Sequence, residues 1–349
     1  ITKLDLAYYN LPAIVHGAWW ATFFAAATGA LLWLYRKGNI SETALLVIGL
    51  LIVVDGVRFN SRFISTVDFE RQFGANPLTQ YLSAHAGADR VLDLRSRNAP
   101  QSLELPLHDV AVPVGYHGNQ LRWYDDLLGS LQLANLFKAR FINLVGARYV
   151  VLPPGQVLPS GFLGPDSVIL ERNVGQALIY RNDNALPRAF LVDSIEVVSD
   201  RKEIYPKVVD GSADLRRMVY LEEQPPLSIS PAADSATVDS AKIVSYDTDS
   251  VVVRVKSGGN RMLVLSDAWY DAWHVTVDGQ PSVCLRADGA LRAVPVTAGS
   301  HEVVLRFSSP RYRLGRWLSL LTALFLAGVF VGEGLVYRRK RNAGEDEEE

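Results

Sequence analysis

Ile14 to Tyr35 is a run with no charged residue when His16 is neutral, and Trp317 to Tyr337 is a second whose only charge is Glu333. A helix rises 1.5 Å per residue, so each run reaches about 30 Å, the thickness of a bilayer's hydrocarbon core. Buried helices of water-soluble proteins rarely run this long without a polar face. Trp19 and Trp20 stand near one end of the first run and Trp33 and Tyr35 near the other, as interfacial aromatics do. Thr43 to Val57 is a shorter apolar run carrying Asp55. With Ile40 and Phe59 added it predicts a third span. Gly56, Arg58 and Asn60 follow Asp55 closely, so Asp55 reads as a helix end at the interface; the other reading is an intramembrane functional acid.

The spans set the expected organisation. Two helices (about 14–35 and 40–58) occupy residues 1–59, an α/β subdomain 60–186, a β-sandwich 187–310, a last helix 317–337 and a charged tail 338–349. The fold class is therefore membrane helices plus α+β, with the water-soluble part between the second and third helices. Arg338-Arg339-Lys340-Arg341 resembles a cytoplasmic stop-transfer cluster, and the acidic run to Glu349 is expected to be disordered. Arg36 and Lys37 would share the cytoplasmic side, which places the middle outside. Arg58, Arg62, Arg311, Arg313 and Arg316 on the opposite flanks leave the charge count nearly even.

Hydrophobic residues make up 49% of the 349, and the net charge is −2. That balance implies no nucleic-acid partner. Cys284 is the only cysteine, which excludes an intrachain disulfide framework. The first residue is Ile1, and Ile1–Pro12 lacks a signal peptide's pattern; we read the chain as the C-terminal piece of something longer.

In the middle, 69–85 reads as helical, with Asn76-Pro77 as a start, and 119–141 as one or two helices. Strands are expected at 90–94, 148–152, 167–172, 176–181 and 188–198, and a short helix at 200–209. Beyond Pro225-Pro226, period-2 alternation gives seven strands: 241–246, 250–256, 261–266, 274–277, 283–285, 291–295 and 301–307. Asp278-Gly279, Asp288-Gly289 and Ala298-Gly299 are turn signals between them.

The run from Leu263 to Tyr270, then Trp273 to Gly279, resembles the C-terminal region of the bacterial YfhO-like membrane proteins. So does Asp288 to Val303 before the last apolar helix. Gly115-Tyr116-His117, Arg122-Trp123-Tyr124, Asn143 to Val151 and Asn184 to Phe190 fit the same family. The Pro-Gly often found between the Tyr and the second Trp is here Asp271-Ala272, which changes a turn. The resemblance implies a multi-pass, GT-C-type glycosyltransferase-like protein of the bacterial cytoplasmic membrane. It implies sugar transfer from a polyprenyl-phosphate carrier to an envelope glycan, with the middle domain extracytoplasmic. The family's catalytic acid usually lies in a first external loop that this chain lacks, so no catalytic residue is carried over. A membrane-anchored carbohydrate-binding or envelope-assembly module is the alternative, and a structural envelope protein a third.

Trp269, Tyr270 and Trp273 are the candidate glycan platform, since flat aromatic faces bind pyranose rings; packing in the sandwich is their other reading. Asp267 reads as a turn cap. His117, Arg122, Asp125 and Asp126 form a compact polar cluster on an expected helix. Adjacent aspartates point about 100° apart on a helix, so they are no acid/base pair on one face. The histidines (16, 85, 108, 117, 274 and 301) have no ligand spacing, and neither a metal nor a cofactor is implied. No phosphate loop, nucleophile elbow or dinucleotide fingerprint is present.

Overall fold

The computed structural model describes residues 3–345 apart from 42, 62, 97–99, 101, 116–118, 161, 164–167, 175, 176 and 230–238. In chain order the elements are α1 (Lys3–Arg36), α2 (Thr43–Asn60), α3 (Phe69–Phe73), α4 (Pro77–His85), β1 (Arg90–Asp93), α5 (Arg122–Leu128), α6 (Ala139–Leu144), β2 (Ala147–Leu152), β3 (Val168–Val174) and β4 (Ala177–Asn182). There follow β5 (Ala189–Val192), β6 (Ser194–Val197), α7 (Arg201–Asp210), β7 (Met218–Leu221), β8 (Ser240–Tyr246), β9 (Ser250–Ser257), β10 (Arg261–Ala268), β11 (Trp273–Val277), β12 (Gln280–Ser282), β13 (Leu285–Ala287), β14 (Leu291–Val296), β15 (Gly299–Phe307) and α8 (Pro310–Glu345). The chain divides into two compact units, residues 1–74 and 75–349. Helices at both ends and β-sheets in the middle make the fold a mixed α+β one.

In the first unit, α1 is long and apolar enough from Tyr8 to Arg36 to cross a membrane. Most of its apolar side chains are exposed, Trp19 at 72% among them, while a stripe through Trp20, Phe24, Ala27, Leu31 and Leu34 is half-buried. α2 runs through Gly56 to Asn60, so Asp55 is not its end. The Asn60 amide donates to the Gly56 carbonyl and keeps the last turn wound. Asp55 pairs with Arg58 one turn on at 2.8 Å, and the Arg58 guanidinium lies 5.1 Å from the Trp20 ring of α1. The acid is thus neutralised within its own helix.

The second unit opens at a capping box: the Asn76 side chain accepts from Thr79 N and Pro77 sits in the first turn. This start and Gly74 split the expected 69–85 helix in two. Of the one or two helices expected over 119–141 the structure has two, α5 and α6, parted where Gly129 (φ 88°) and Leu133 (φ 52°) adopt left-handed backbone. Short 3₁₀ turns fill the gap between α5 and α6.

Three sheets follow. The first has order β1-β2-β4-β3, the second β5-β10-β14-β13-β7-β6, the third β12-β11-β15-β9-β8. The expected strand over 188–198 is broken at Asp193, and its halves form the two opposite edges of the second sheet. Six strands laid flat would separate those edges by about 24 Å, whereas two residue steps of chain reach about 7 Å. The sheet must therefore curl until its edges meet. One apolar cluster fills the curl, with members from β5 (Phe190), β10 (Val264), β14 (Leu291), β13 (Leu285) and β7 (Val219), and with Ile204 and Val208 of α7.

Only part of the convex face is covered. Leu263 and Leu265 of β10 and Val294 and Val296 of β14 point the other way, into a second cluster with Val251, Val253 and Val255 of β9 and Val303 and Leu305 of β15. β10 is consequently buried on both faces, and its unbroken apolar run Met262–Leu265 says so; β9 alternates because one face of the third sheet is open. The strand expected at 283–285 is not there. The chain turns at Asp278-Gly279 in a two-residue loop, both φ positive, so that β12 pairs at once with β11. Val283-Cys284 then crosses to the second sheet.

Asp288-Gly289 joins β13 to β14, again with both φ positive. A Cβ on Gly289 would lie 2.6 Å from a ring carbon of Tyr205. We expect Gly289→Ala to cost about 2–4 kcal/mol from left-handed strain plus overpacking, against about 1–2 kcal/mol from strain alone for Gly279→Ala, whose Cβ meets nothing; thermal unfolding followed by near-UV dichroism measures both. Asp288 is buried, and burial pushes its carboxyl up from an ordinary 3.8 to about 7 although the Tyr220 amide donates to it. Its protonated form is thus favoured by folding. That contribution is full below about pH 4, is lost as pH rises to about 7 and is absent above. Asn in its place keeps the acceptor and suits the turn. Asp288→Asn should raise stability above pH 7 by about 1–3 kcal/mol and flatten the dependence of the thermal midpoint between pH 4 and 7.

Candidate functional site

β10 leaves the second sheet through a bulge between Leu265 and Ala268, and the next five residues carry the chain to the third sheet. Those residues hold the three aromatics singled out in the sequence. The bulge is pinned from inside. One oxygen of Asp267 takes Arg90 at 2.6 Å and Arg188 at 2.7 Å, and Arg90 also donates to the carbonyls of Val145 and Ser266. Asp267 is therefore the centre of a buried ion cluster and not a turn cap. Burial alone pushes its carboxyl up, but the charges of Arg90, Arg188 and Arg292 outweigh it and hold the group below its ordinary value.

Trp269 is spent on packing. Its amide donates to Ala290 O, its indole to Cys284 O, and its carbonyl accepts the indole N–H of Trp123 from α5 at 2.9 Å. The Arg286 guanidinium lies 4.1 Å from its ring and is itself paired with Glu222. Tyr270 and Trp273 are held differently. A turn closes them, Trp273 N donating to Tyr270 O, and both rings rest on Phe307 at the end of β15, at 6.0 and 5.5 Å. Arg292 covers the back of Trp273 at 3.8 Å. Neither the Tyr270 hydroxyl nor the Trp273 indole N–H has a side-chain partner among the described residues. With Glu223, Gln224 and Asp271 they line an open cleft of about 450 Å³. Cys284, which also lines the cleft, is half-buried; desolvation pushes its thiol up to about 11 and makes it a poor nucleophile.

The other expected cluster centres on α5. His117 lies outside the described residues. Arg122 begins α5 and is exposed, while Asp125 and Asp126 are half-buried in its middle. From this helix it is Trp123 that reaches the aromatic group. Trp123, Phe307, Arg286 and Arg292 carried no role in the sequence reading; the signals for them were two stretches of the family resemblance, Arg122-Trp123-Tyr124 and, for Arg292, Asp288 to Val303. No group of three or more His, Cys, Asp or Glu side chains that could hold a metal occurs among the described residues.

The aromatic turn, the third sheet and the start of α8 all fall within one recognisable segment. Residues 227–319 match the family model of the bacterial membrane protein YfhO. No curated protein and no solved structure matches the chain. The YfhO resemblance read from Leu263 to Val303 is thus found again over that segment, whereas the stretches around Trp123, Val150 and Arg188 lie outside it. Within the YfhO segment, Asp271-Ala272 occupies the turn between Tyr270 and Trp273, and Asp271 is among the residues lining the cleft.

Asp267→Asn should leave Arg90 and Arg188 buried without their counter-charge and cost about 3–5 kcal/mol. Because the folded carboxyl is held below its ordinary value, its stabilisation is present above about pH 4 and lost as pH falls further. Acid unfolding curves of the two proteins should therefore differ above pH 4 and converge below it.

Proposed function

We propose that the chain is a multi-pass protein of the bacterial cytoplasmic membrane whose second unit, folded outside the cytoplasm, binds an envelope glycan in the cleft of Tyr270 and Trp273. In this reading it positions the acceptor for sugar transfer from a polyprenyl-phosphate donor, as GT-C-like enzymes perform. The carrying observation is the contrast within one turn: Trp269 has every polar group satisfied, while Tyr270 and Trp273 present ring faces and unused hydrogen-bonding groups beside two carboxylates and an amide. Stacking surface plus a few polar groups is how sites orient polyhydroxylated ligands. Location supports the reading as well. Phe307 supports both rings, and α8 starts at Pro310, so the cleft stands next to the helix that is apolar enough to enter a bilayer from Pro310 to Val336. The sandwich-like pairing of the second and third sheets then serves as a rigid mount for the aromatic turn. The cleft's lining residues include no nucleophile–base pair, and this favours positioning over catalysis at this cleft; a carbohydrate-binding module without a reaction of its own is the second reading.

The test is tryptophan fluorescence of the full chain in lipid nanodiscs, titrated with envelope oligosaccharide fragments. Trp273→Ala and Tyr270→Ala should each weaken binding about tenfold, near 1.4 kcal/mol. Tyr270→Ala should leave the thermal midpoint little changed, whereas Trp273→Ala should also lower it, because its ring packs against the second apolar cluster. Trp269→Ala should lower the midpoint and leave binding by the folded protein near wild type. Equal binding by wild type and both cleft variants would sink the proposal.

A further inference from the structure

The first two turns of α8 carry Arg311, Arg313 and Arg316, all exposed. Exposed Arg306 lies just before them on β15, and no Asp or Glu occurs between Glu302 and Glu333. None of these four guanidinium groups makes an ion pair among the described residues. We propose that the start of α8 is a collar for the headgroups of anionic phospholipids.

Three observations point to a lipid surface and away from a protein partner. First, the charges surround the helix. At about 100° per residue, Arg313 and Arg316 stand about 60° apart, and Arg311 lies about 140–160° from each. A docked protein covers one face; a headgroup layer encloses the whole circumference. Second, Tyr312 and Trp317 lie in the same two turns, 71% and 56% exposed, and such aromatics settle at the headgroup level. Third, the apolar stretch begins directly beyond, with Leu318, Leu320, Leu321 and Leu324 all exposed. Guanidinium suits the task because its planar fork takes phosphate oxygens two at a time. The collar also accounts for the even charge count across the spans: these arginines are held by lipid phosphate at their own interface. The inference rests on α8 crossing the bilayer and is independent of what the cleft binds.

The experiment places the full chain in nanodiscs of phosphatidylcholine with one quarter phosphatidylglycerol and measures by native mass spectrometry the lipids it retains on release. Wild type should retain phosphatidylglycerol preferentially. Each arginine neutralised in R311Q, R313Q and R316Q should lower that preference by roughly fivefold, and the triple R311K/R313K/R316K should keep most of it. The basic run Arg338–Arg341 at the far end is the control: with all four residues changed to Gln, the preference carried by the collar should persist. Single Gln variants serve if the triple does not insert. Equal retention of the two lipids by wild type, or an unchanged preference in the Gln variants, overturns the proposal. Oligosaccharide titration of the same variants should match wild type, so a failed collar and a failed cleft give different results.

Discussion

A single buried carboxylate joins parts of the second unit that lie far apart in the chain. Asp267 sits in the bulge of β10, Arg90 opens β1, and Arg188 precedes β5. Two cations on one buried oxygen would be costly without further partners, and the structure supplies them: the Val145 and Ser266 carbonyls take the rest of Arg90, and the Tyr246 ring lies under Arg188 at 4.0 Å. The cluster fixes where β10 stops being a strand. Everything that follows, including the crossing from the second sheet to the third and the posture of the aromatic turn, takes its register from that point.

The same constraint explains why neighbouring aromatics do different work. Ala268 accepts Arg292 Nε through its carbonyl, so Trp269 emerges toward Trp123 and the base of the cleft. Tyr270 and Trp273, on the far side of a tight turn, emerge toward Phe307. Arg286 of β13 lies against the Trp123 and Trp269 rings, and Arg292 of β14 backs Trp273. The curled second sheet gives the turn a support that cannot shear easily, because its edge strands are one continuous piece of chain kinked at Asp193.

Much of this was legible in the sequence, for definite reasons. The long apolar helices announce themselves by length, and the Asp-Gly turns by the need for positive φ at both residues. β9 and β10 could be placed, and even the difference in their burial shows in Val251–Lys256 against Arg261–Leu265. What escaped depended on distant partners. Asp193 has no local signature of a strand break; its role comes from where the two halves pair. The place where α5 and α6 part was not legible, since Leu133 is a residue that propensity would not place in left-handed backbone. Asp267 was misread because its two arginines are 177 and 79 residues away in sequence. At the cleft, the three aromatics stood out by spacing, yet only their contacts separate Trp269 from the other two.

The geometry around Phe307 connects fold to setting. β15 ends there with its ring under Tyr270 and Trp273, and Ser308 N donates to the Ala272 carbonyl, tying the aromatic turn to the strand end. Ser309 then accepts from the amide of Tyr312, starting α8 within two residues. A strand, a turn and an apolar helix are thus joined with almost no slack. A flexible linker would let the globular unit drift from the membrane by about 5–6 Å for each square root of its length; here the connection is two serines, both hydrogen-bonded. The cleft is therefore held at a fixed height above the start of α8, which is what a site must have if its ligand is to meet a partner confined to the bilayer surface.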